Sequence, residues 1–435
     1  MKEILVLLAL FLAIPGSGYL NGQTPYIKQI INANSGKFEF SPPYQDFVTV
    51  HTYNPATGAG NVIQTVLTQS AQDICINGNI AYIAAQDSII KLNLDTYQRI
   101  AAIADSGLSK LLIFGDKLIV SKQYPVTTFF AEVLKADDLS LVSSIKGIPG
   151  DCGGLVAAGD SIYIAVNGGW MGTEGKIAVV ETTAWTLVRE IGLGTAAIGI
   201  MNVYNHNNTL FTVNKSPYTS PEVGSISSYS LNTHTFVNTI LGKNVGAGAG
   251  INGSLLYFGF GYGIGSFNLN TLQVEDTVVV PDPGSAFFKY ITSATVDTLN
   301  DLIYVNAGDY ATPGNCVVTT LTGDSVTSYT TGISTDAVAV DYRVYPAGIE
   351  NLRGQSLLLT LSPNPVSGIL TVKLNTCEKI REIRVSDLTG RIVIRNSFNY
   401  STNLATIPVN SLACGVYAIM VETDNRSVFG KFVKE

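Results

Sequence analysis

The sequence predicts an all-β protein, a seven-bladed β-propeller followed by a small C-terminal β-sandwich. Three observations carry that expectation: a turn-and-strand cassette that recurs six times, a Gly/Asn/Asp turn before each copy, and a change of texture near residue 357. The cassette is an Asn/Asp/Thr cluster and then a short apolar strand. It stands at Asn54-Pro55-Ala56-Thr57 before Val62-Ile63-Gln64-Thr65-Val66, at Asn93-Leu94-Asp95-Thr96 before Ile103, and at Ala136-Asp137-Asp138 before Ile145. It returns at Glu181-Thr182-Thr183 before Ile191, Leu231-Asn232-Thr233 before Ile240, and Leu269-Asn270-Thr271 before Val278. Intervals of roughly 40–50 residues suit one four-stranded blade each.

The preceding phrase supplies the first two strands of a blade. Asn77-Gly78-Asn79, Gly115-Asp116-Lys117, Gly159-Asp160-Ser161, Asn207-Asn208-Thr209, Asn252-Gly253-Ser254 and Asn300-Asp301-Leu302 each lead into an alternating apolar strand such as Ile80-Ala81-Tyr82-Ile83. Asn-Gly and Gly-Asp pairs supply the positive φ of a tight hairpin, and β-branched and aromatic residues suit a pleated strand. Six complete units run from about Ser70 to Tyr329. Thr335–Asp341 reads as an inner strand with no outer strands after it, and Phe47–Val66 as outer strands with no inner strand before them. Joining the two makes seven blades and leaves no open sheet edge between them.

The chain has 435 residues, 46% hydrophobic, 14% charged, with 42 Gly. That is enough for a large core and a second small domain. A formal charge of −7 and the lack of any Lys/Arg cluster argue against nucleic acid or an anionic membrane as partner. Met1-Lys2-Glu3, an apolar run from Ile4 to Ile14 and then Pro15-Gly16-Ser17-Gly18 read as a secretory signal peptide over 1–22, too short to span a bilayer. No Cys follows that run before Cys75, so a lipid anchor is not expected. Five Cys is an odd number for an exported chain. Cys75 and Cys316 sit in strand-like contexts as small buried hydrophobes. A bridge between Cys377 and Cys414 stays open, and no Cys/His spacing suggests a metal.

The propeller is expected over 23–344 and a Pro/Gly-bearing linker over 345–356. The last segment, 357–435, carries Leu361-Ser362-Pro363-Asn364-Pro365, a strand from Ile369 to Leu374, Asp387-Leu388-Thr389-Gly390-Arg391, Gly415-Val416-Tyr417 and Gly430-Lys431-Phe432-Val433-Lys434. Alternating apolar strands with turns between them make a small sandwich. These motifs, in this order, resemble the type A C-terminal sorting domain of type IX secretion cargo. The resemblance implies contact with the type IX machinery, passage across the outer membrane, cleavage of the module, and a product that is secreted or attached to the cell surface.

In a propeller, the loops joining second to third strands gather on one face around the central channel. Here they carry Tyr124, Trp170, Tyr218, Tyr262 and Tyr310, each flanked by Gly or Pro or close to one, and Tyr44 supplies a sixth. Such rings either pack on neighbouring loops and stiffen the rim, or form a concave binding surface with polar tips. Asn167, Asn214 and Asn306 each follow a Val at a loop start. Their side chains close Asx-turns, the favoured reading, or point into the channel as ligand groups. Asp95, Asp137 and Asp138 read as turn formers. No nucleophile elbow, His/Glu metal motif or phosphate loop is present, and Gly246-Ala247-Gly248-Ala249-Gly250 lacks the following helix that a phosphate loop requires. Binding, not catalysis, is therefore expected, with no catalytic residue, metal or resident cofactor.

The repeat phrase, Asp-x-Ile-Tyr-Ile-x-Val-Asn at 160–167 with its Thr-bearing cassette, resembles the YncE-like propellers and among them the DUF5074 group, over about Tyr26–Arg343. Some members of that group are surface corrinoid-binding proteins that serve a TonB-dependent outer-membrane transporter. The resemblance implies a bulky bound ligand, with a corrinoid (vitamin B12) as first candidate and such a transporter as partner. A glycan- or protein-binding adhesion module is the alternative, and a propeller hydrolase or lyase a third reading.

Overall fold

The protein is described by a computed structural model over residues 25–39, 41–215, 223–344, 359–375, 378–387, 390–398, 402–423 and 427–435. The signal peptide and linker expected at 1–22 and 345–356 lie outside the described residues. The chain divides into two compact units, one spanning Tyr26–Arg343 and the other holding the C-terminal residues from Val344.

The larger unit consists of seven four-stranded antiparallel sheets. Six follow the chain directly, their first strands being Ala71–Asn77, Leu108–Phe114, Cys152–Ala158, Ile200–His206, Val245–Asn252 and Tyr290–Asp297. The remaining sheet is composite: Thr335–Val344 pairs with Pro25–Asn34, which is followed by Val48–Tyr53 and Gly60–Val66. Thr335–Val344 supplies the inner strand as expected, and Pro25–Asn34 adds a second strand, between it and the outer pair, that the sequence did not announce. Its apolar centre, Ile30-Ile31, is flanked by Gln29, Asn32 and Asn34, and these buried polar residues hid its strand character.

Second strands read as nearly unbroken apolar runs, not as the alternation expected, because both of their faces are covered. In Ile80–Ala85, Ala81 and Ile83 pack with Val48 and Val50 of the composite sheet. Tyr82 and Ala84 pack on the other side with Leu118 and Val120 of the next sheet. The same sharing continues from sheet to sheet. A last cluster, with Tyr304 and Cys316 on one side and Ile30 and Tyr53 on the other, joins the seventh sheet back to the composite one. Period-2 side-chain geometry thus gives each sheet two apolar faces and spends both.

The cassette turns are held by side chains. Asn93 Oδ1 accepts the amides of Asp95 and Thr96 at 2.8 and 3.1 Å, and Asn268 Oδ1 those of Asn270 and Thr271 at 3.0 and 3.2 Å. Asp138 accepts the Ser140 amide at 2.9 Å, the expected turn-forming role. Asp95 differs from the expectation: Asn93 closes the turn, and the Asp95 carboxylate pairs with Lys28 and with Arg343 at 3.1 Å, tying both ends of the unit to one cassette. Those ion pairs hold its pKa below the usual carboxylate range, with the Lys28 hydrogen bond as the largest cause.

The C-terminal residues form a three-stranded sheet (Leu359–Ser362, Ile369–Leu374, Leu404–Pro408) and a four-stranded one (Ile392–Ser397, Ile380–Ser386, Gly415–Thr423, Ser427–Lys434). Leu370 and Ile407 from the first share one core with Ile383, Ile419 and Phe432 from the second. Cys414 is exposed and free, and Cys377 lies outside the described residues. Cys316 is buried, as expected, and Cys75 only half-buried; desolvation pushes both thiols up to about 12.

Candidate functional site

The first strands of all seven sheets line one cavity of about 440 Å³. Asp73, Lys110, Gly154, Asn202, Gly248, Ser293 and Asp336 each come from a different sheet. They reach it through a shared irregularity. In six of these strands the pairing register with the second strand slips near the start, at Ala71/Asp73, Leu108/Leu111, Cys152/Leu155, Ile200/Asn202, Val245/Gly248 and Ile291/Ser293. A bulge adds an unpaired residue and re-aims the side chains beside it. Polar residues from strands otherwise packed on apolar neighbours are thereby brought to the cavity wall.

Glycine allows the strands to crowd together there. A Cβ on Gly154 would fall 2.8 Å from the Asn202 Cα of the neighbouring strand. One on Gly248 would fall 2.1 Å from the Tyr204 hydroxyl, so the glycine run 246–250 is strand that admits a tyrosine, as its lack of a following helix implied.

Charge in the cavity is uneven. Lys110 Nζ lies 3.4 Å from Asp73 Oδ1 and donates to the Gln72 carbonyl at 3.0 Å. Asp73 Oδ2 also accepts the Leu111 amide at 2.8 Å, which fastens two sheets together. Asp336 accepts a hydrogen bond from the Ser35 hydroxyl. Burial raises the Asp336 carboxyl to about 6, against the lowering influence of Ser35 and the Lys110 charge. Burial likewise raises the Tyr204 hydroxyl, with the charge of Asp73 adding to it.

At one side of this cavity stands a row of tyrosines. The Tyr262 and Tyr290 rings are 6.1 Å apart and those of Tyr290 and Tyr310 6.2 Å. Tyr262 and Tyr290 both line the cavity. Tyr262 is 56% and Tyr310 48% exposed, and the neighbouring turn leaves Phe287 and Phe288 at 79% and 74%. The turns that carry these rings are pinned by carboxylates. Asp309 accepts the amides of Ala311 and Thr312 at 3.0 and 2.7 Å, and these bonds lower its pKa to about 2. Tyr310 between them has φ 61, a left-handed conformation disfavoured for a side-chain-bearing residue. Asp282 holds Gly284 and Ser285 the same way, at 2.8 and 2.7 Å.

Of the aromatics expected at a shared mouth, the structure brings Tyr262 and Tyr310 together, through Tyr290. Tyr44 and Tyr124 are exposed, the latter at 82%, and line no part of the cavity. Trp170 lies in the one-turn helix Gly169–Met171, and Tyr218 lies outside the described residues. The three asparagines diverge. Asn167 closes the expected Asx-turn, its Oδ1 accepting the Gly169 amide at 2.9 Å. Asn214 and Asn306 do not: both are buried, Asn214 donating to Ser225 and Ser227 at 2.9 and 2.8 Å, Asn306 to Ser293 at 3.0 Å. They too follow a Val, but strand pairing still includes them, Asn214 opposite Ser225 and Asn306 opposite Ser293, so the side chain meets serines across the sheet instead of a loop amide.

Asp73, Lys110, Tyr204, Tyr290 and Asp336 were missed. Their common signal is a polar or aromatic residue within the first strand of a repeat, where a packed strand should be apolar. Among the described residues, no group of three or more His, Cys, Asp or Glu could hold a metal ion.

Residues 360–435 match the family of secretion system C-terminal sorting domains. That tail implies involvement with the type IX secretion machinery and export to the cell surface or the outside. No curated protein matches the chain.

Proposed function

We propose that Tyr26–Arg343 is a seven-bladed β-propeller that acts outside the cell by capturing a bulky small ligand, without catalysing a reaction on it. Seven four-stranded sheets whose apolar clusters lead from each to the next, and from the last to the first, support the blade count. The observation that carries the binding reading is the Tyr262–Tyr290–Tyr310 row beside a polar cavity. Rigid rings offer apolar area at low entropic cost, and the groups below them fix orientation. A corrinoid is the first candidate ligand, on the strength of the repeat's resemblance. It would lie across the rim with its amides toward Asn202 and Ser293, and would be passed to a TonB-dependent transporter. Titration of the purified protein with cyanocobalamin tests this: saturable binding at micromolar ligand, weakened at least tenfold by Tyr262→Ala, is expected. Absence of binding removes the corrinoid, and binding of sugars on a glycan array would put an adhesion module in its place.

One observation favours a second reading, a propeller hydrolase or lyase. Asp73, Lys110, Tyr204 and Asp336 set acid and base groups in a single cavity, and the Asp336 carboxyl, at about 6, is placed for proton transfer near neutral pH. Loss of turnover in Asp336→Asn on a screened substrate panel would establish it.

A further inference from the structure

The cavity under the tyrosine row is asymmetric in charge, and that asymmetry selects among ligands. Its lining holds two carboxylates, Asp73 and Asp336, and one ammonium, Lys110. Asp73 is committed, to Lys110 at 3.4 Å and to the Leu111 amide at 2.8 Å. Lys110 is committed too, to Asp73 and to the Gln72 carbonyl. Asp336 is different: Ser35 donates to its Oδ2, and among the described residues nothing donates to Oδ1. It lies near enough to Tyr310 that its charge helps to raise that hydroxyl's pKa, after burial, together with Tyr290. An under-coordinated carboxylate near tyrosine rings offers a cation both a counter-ion and π faces.

We propose that this cavity takes the ammonium group of an organic amine, with Asp336 as its counter-ion and Tyr290 and Tyr310 beside it. The proposal deepens the binding reading above and rests on it, since the same rings flank the cavity. An anionic group would meet two carboxylates and a lysine already engaged. A neutral group would leave the half-buried Asp336 with one hydrogen bond, a partial desolvation that its raised pKa reflects. Bound ammonium would offset that desolvation.

Calorimetric titration of the purified full chain with 4-phenylbutylamine, 4-phenylbutanol and 4-phenylbutyrate tests it, because the three share a body and differ only in charge. The amine is expected to bind at least tenfold more tightly than the alcohol, and the carboxylate more weakly than either. Asp336→Asn, which keeps the shape and the Ser35 hydrogen bond, is expected to bring the amine down to the alcohol, and Tyr310→Ala to weaken both. The amine's advantage should shrink from pH 7 to pH 5 as Asp336, which shares the cavity with Lys110, Asp73 and Tyr290, takes up a proton. Equal binding of amine and alcohol, or an unaffected Asp336→Asn, overturns the proposal and leaves the aromatic rim standing. Tighter binding of the carboxylate overturns it in favour of an anion at Lys110. If none of the three binds, the proposal also fails, and the cyanocobalamin titration still judges the rim by itself.

Discussion

Strands Cys152–Ala158 and Thr186–Gly192 bound the same sheet, one on the cavity and one at the outer edge, and each is paired through a register slip. The inner slip, at Cys152/Leu155, lies at the cavity end, where it turns backbone and side chains toward the centre. The outer one, at Val179/Val180, lies beside the cassette turn, where it twists an edge strand that would otherwise offer unpaired backbone to another chain. The same device serves a site in one place and protects an edge in the other. Burial decides which: a displaced residue on the inside meets six other strands, and on the outside it meets water.

That contrast can be broken by matched substitutions. The largest difference is expected between Ile200 and Ile240, on the innermost and outermost strands of one sheet, the first buried and the second exposed. Ile200→Ala should cost about 2–4 kcal/mol in urea unfolding, and Ile240→Ala less than about 0.5 kcal/mol. Equal costs would mean that the outer strands are covered in solution. Next come Gly154 and Gly192. Gly154→Ala drives a Cβ into neighbouring backbone at 2.8 Å and should destabilise by about 1–3 kcal/mol. Gly192 has open space around it, and Gly192→Ala should be neutral or stabilising by about 0.5 kcal/mol.

Carboxylates should separate by sign. The Asp336 pKa is raised, to about 6 from 3.8, so the folded state holds its proton more tightly than the unfolded chain does. The contribution is complete below pH 4 and is lost as pH rises through 6. Asp336→Asn should therefore be more stable than the parent at pH 8, by about 1–3 kcal/mol, with the gap gone at pH 4. Asp138, on an exposed cassette, is held low by the Ser140 hydroxyl and amide. Its contribution is present above pH 4 and lost on acidification, so Asp138→Asn should be the less stable partner at pH 8. Thermal melts at both pH values check the crossing. Asn93→Ala, which removes the acceptor for two turn amides, should cost about 0.5–1.5 kcal/mol in the same unfolding measurement.

The repeat was legible because its turns are local. Asn93, Asn268 and Asp138 each bond amides two or three residues away, so composition alone announces the cassette and the strand after it. The sorting tail was legible for the same reason, from motifs in fixed order. Tyr262 and Tyr310 were found as ring-bearing loop residues, yet their link, Tyr290, stands at a strand start and gave no loop signal. Asn167, Asn214 and Asn306 share a motif and part company on whether strand pairing reaches the Asn, which only the neighbouring strand decides.

What the sequence determined by itself was the repeating unit and the address at its end, since each depends on contacts between residues near in the chain. What only the tertiary structure decided was the site. Asp73, Lys110, Asn202 and Asp336 are separated by tens to hundreds of residues and meet because seven strands, six of them bulged, face one cavity. A bulge breaks the alternation from which side-chain direction is read, so the residues that face the centre cannot be told in advance from those that face a neighbouring sheet.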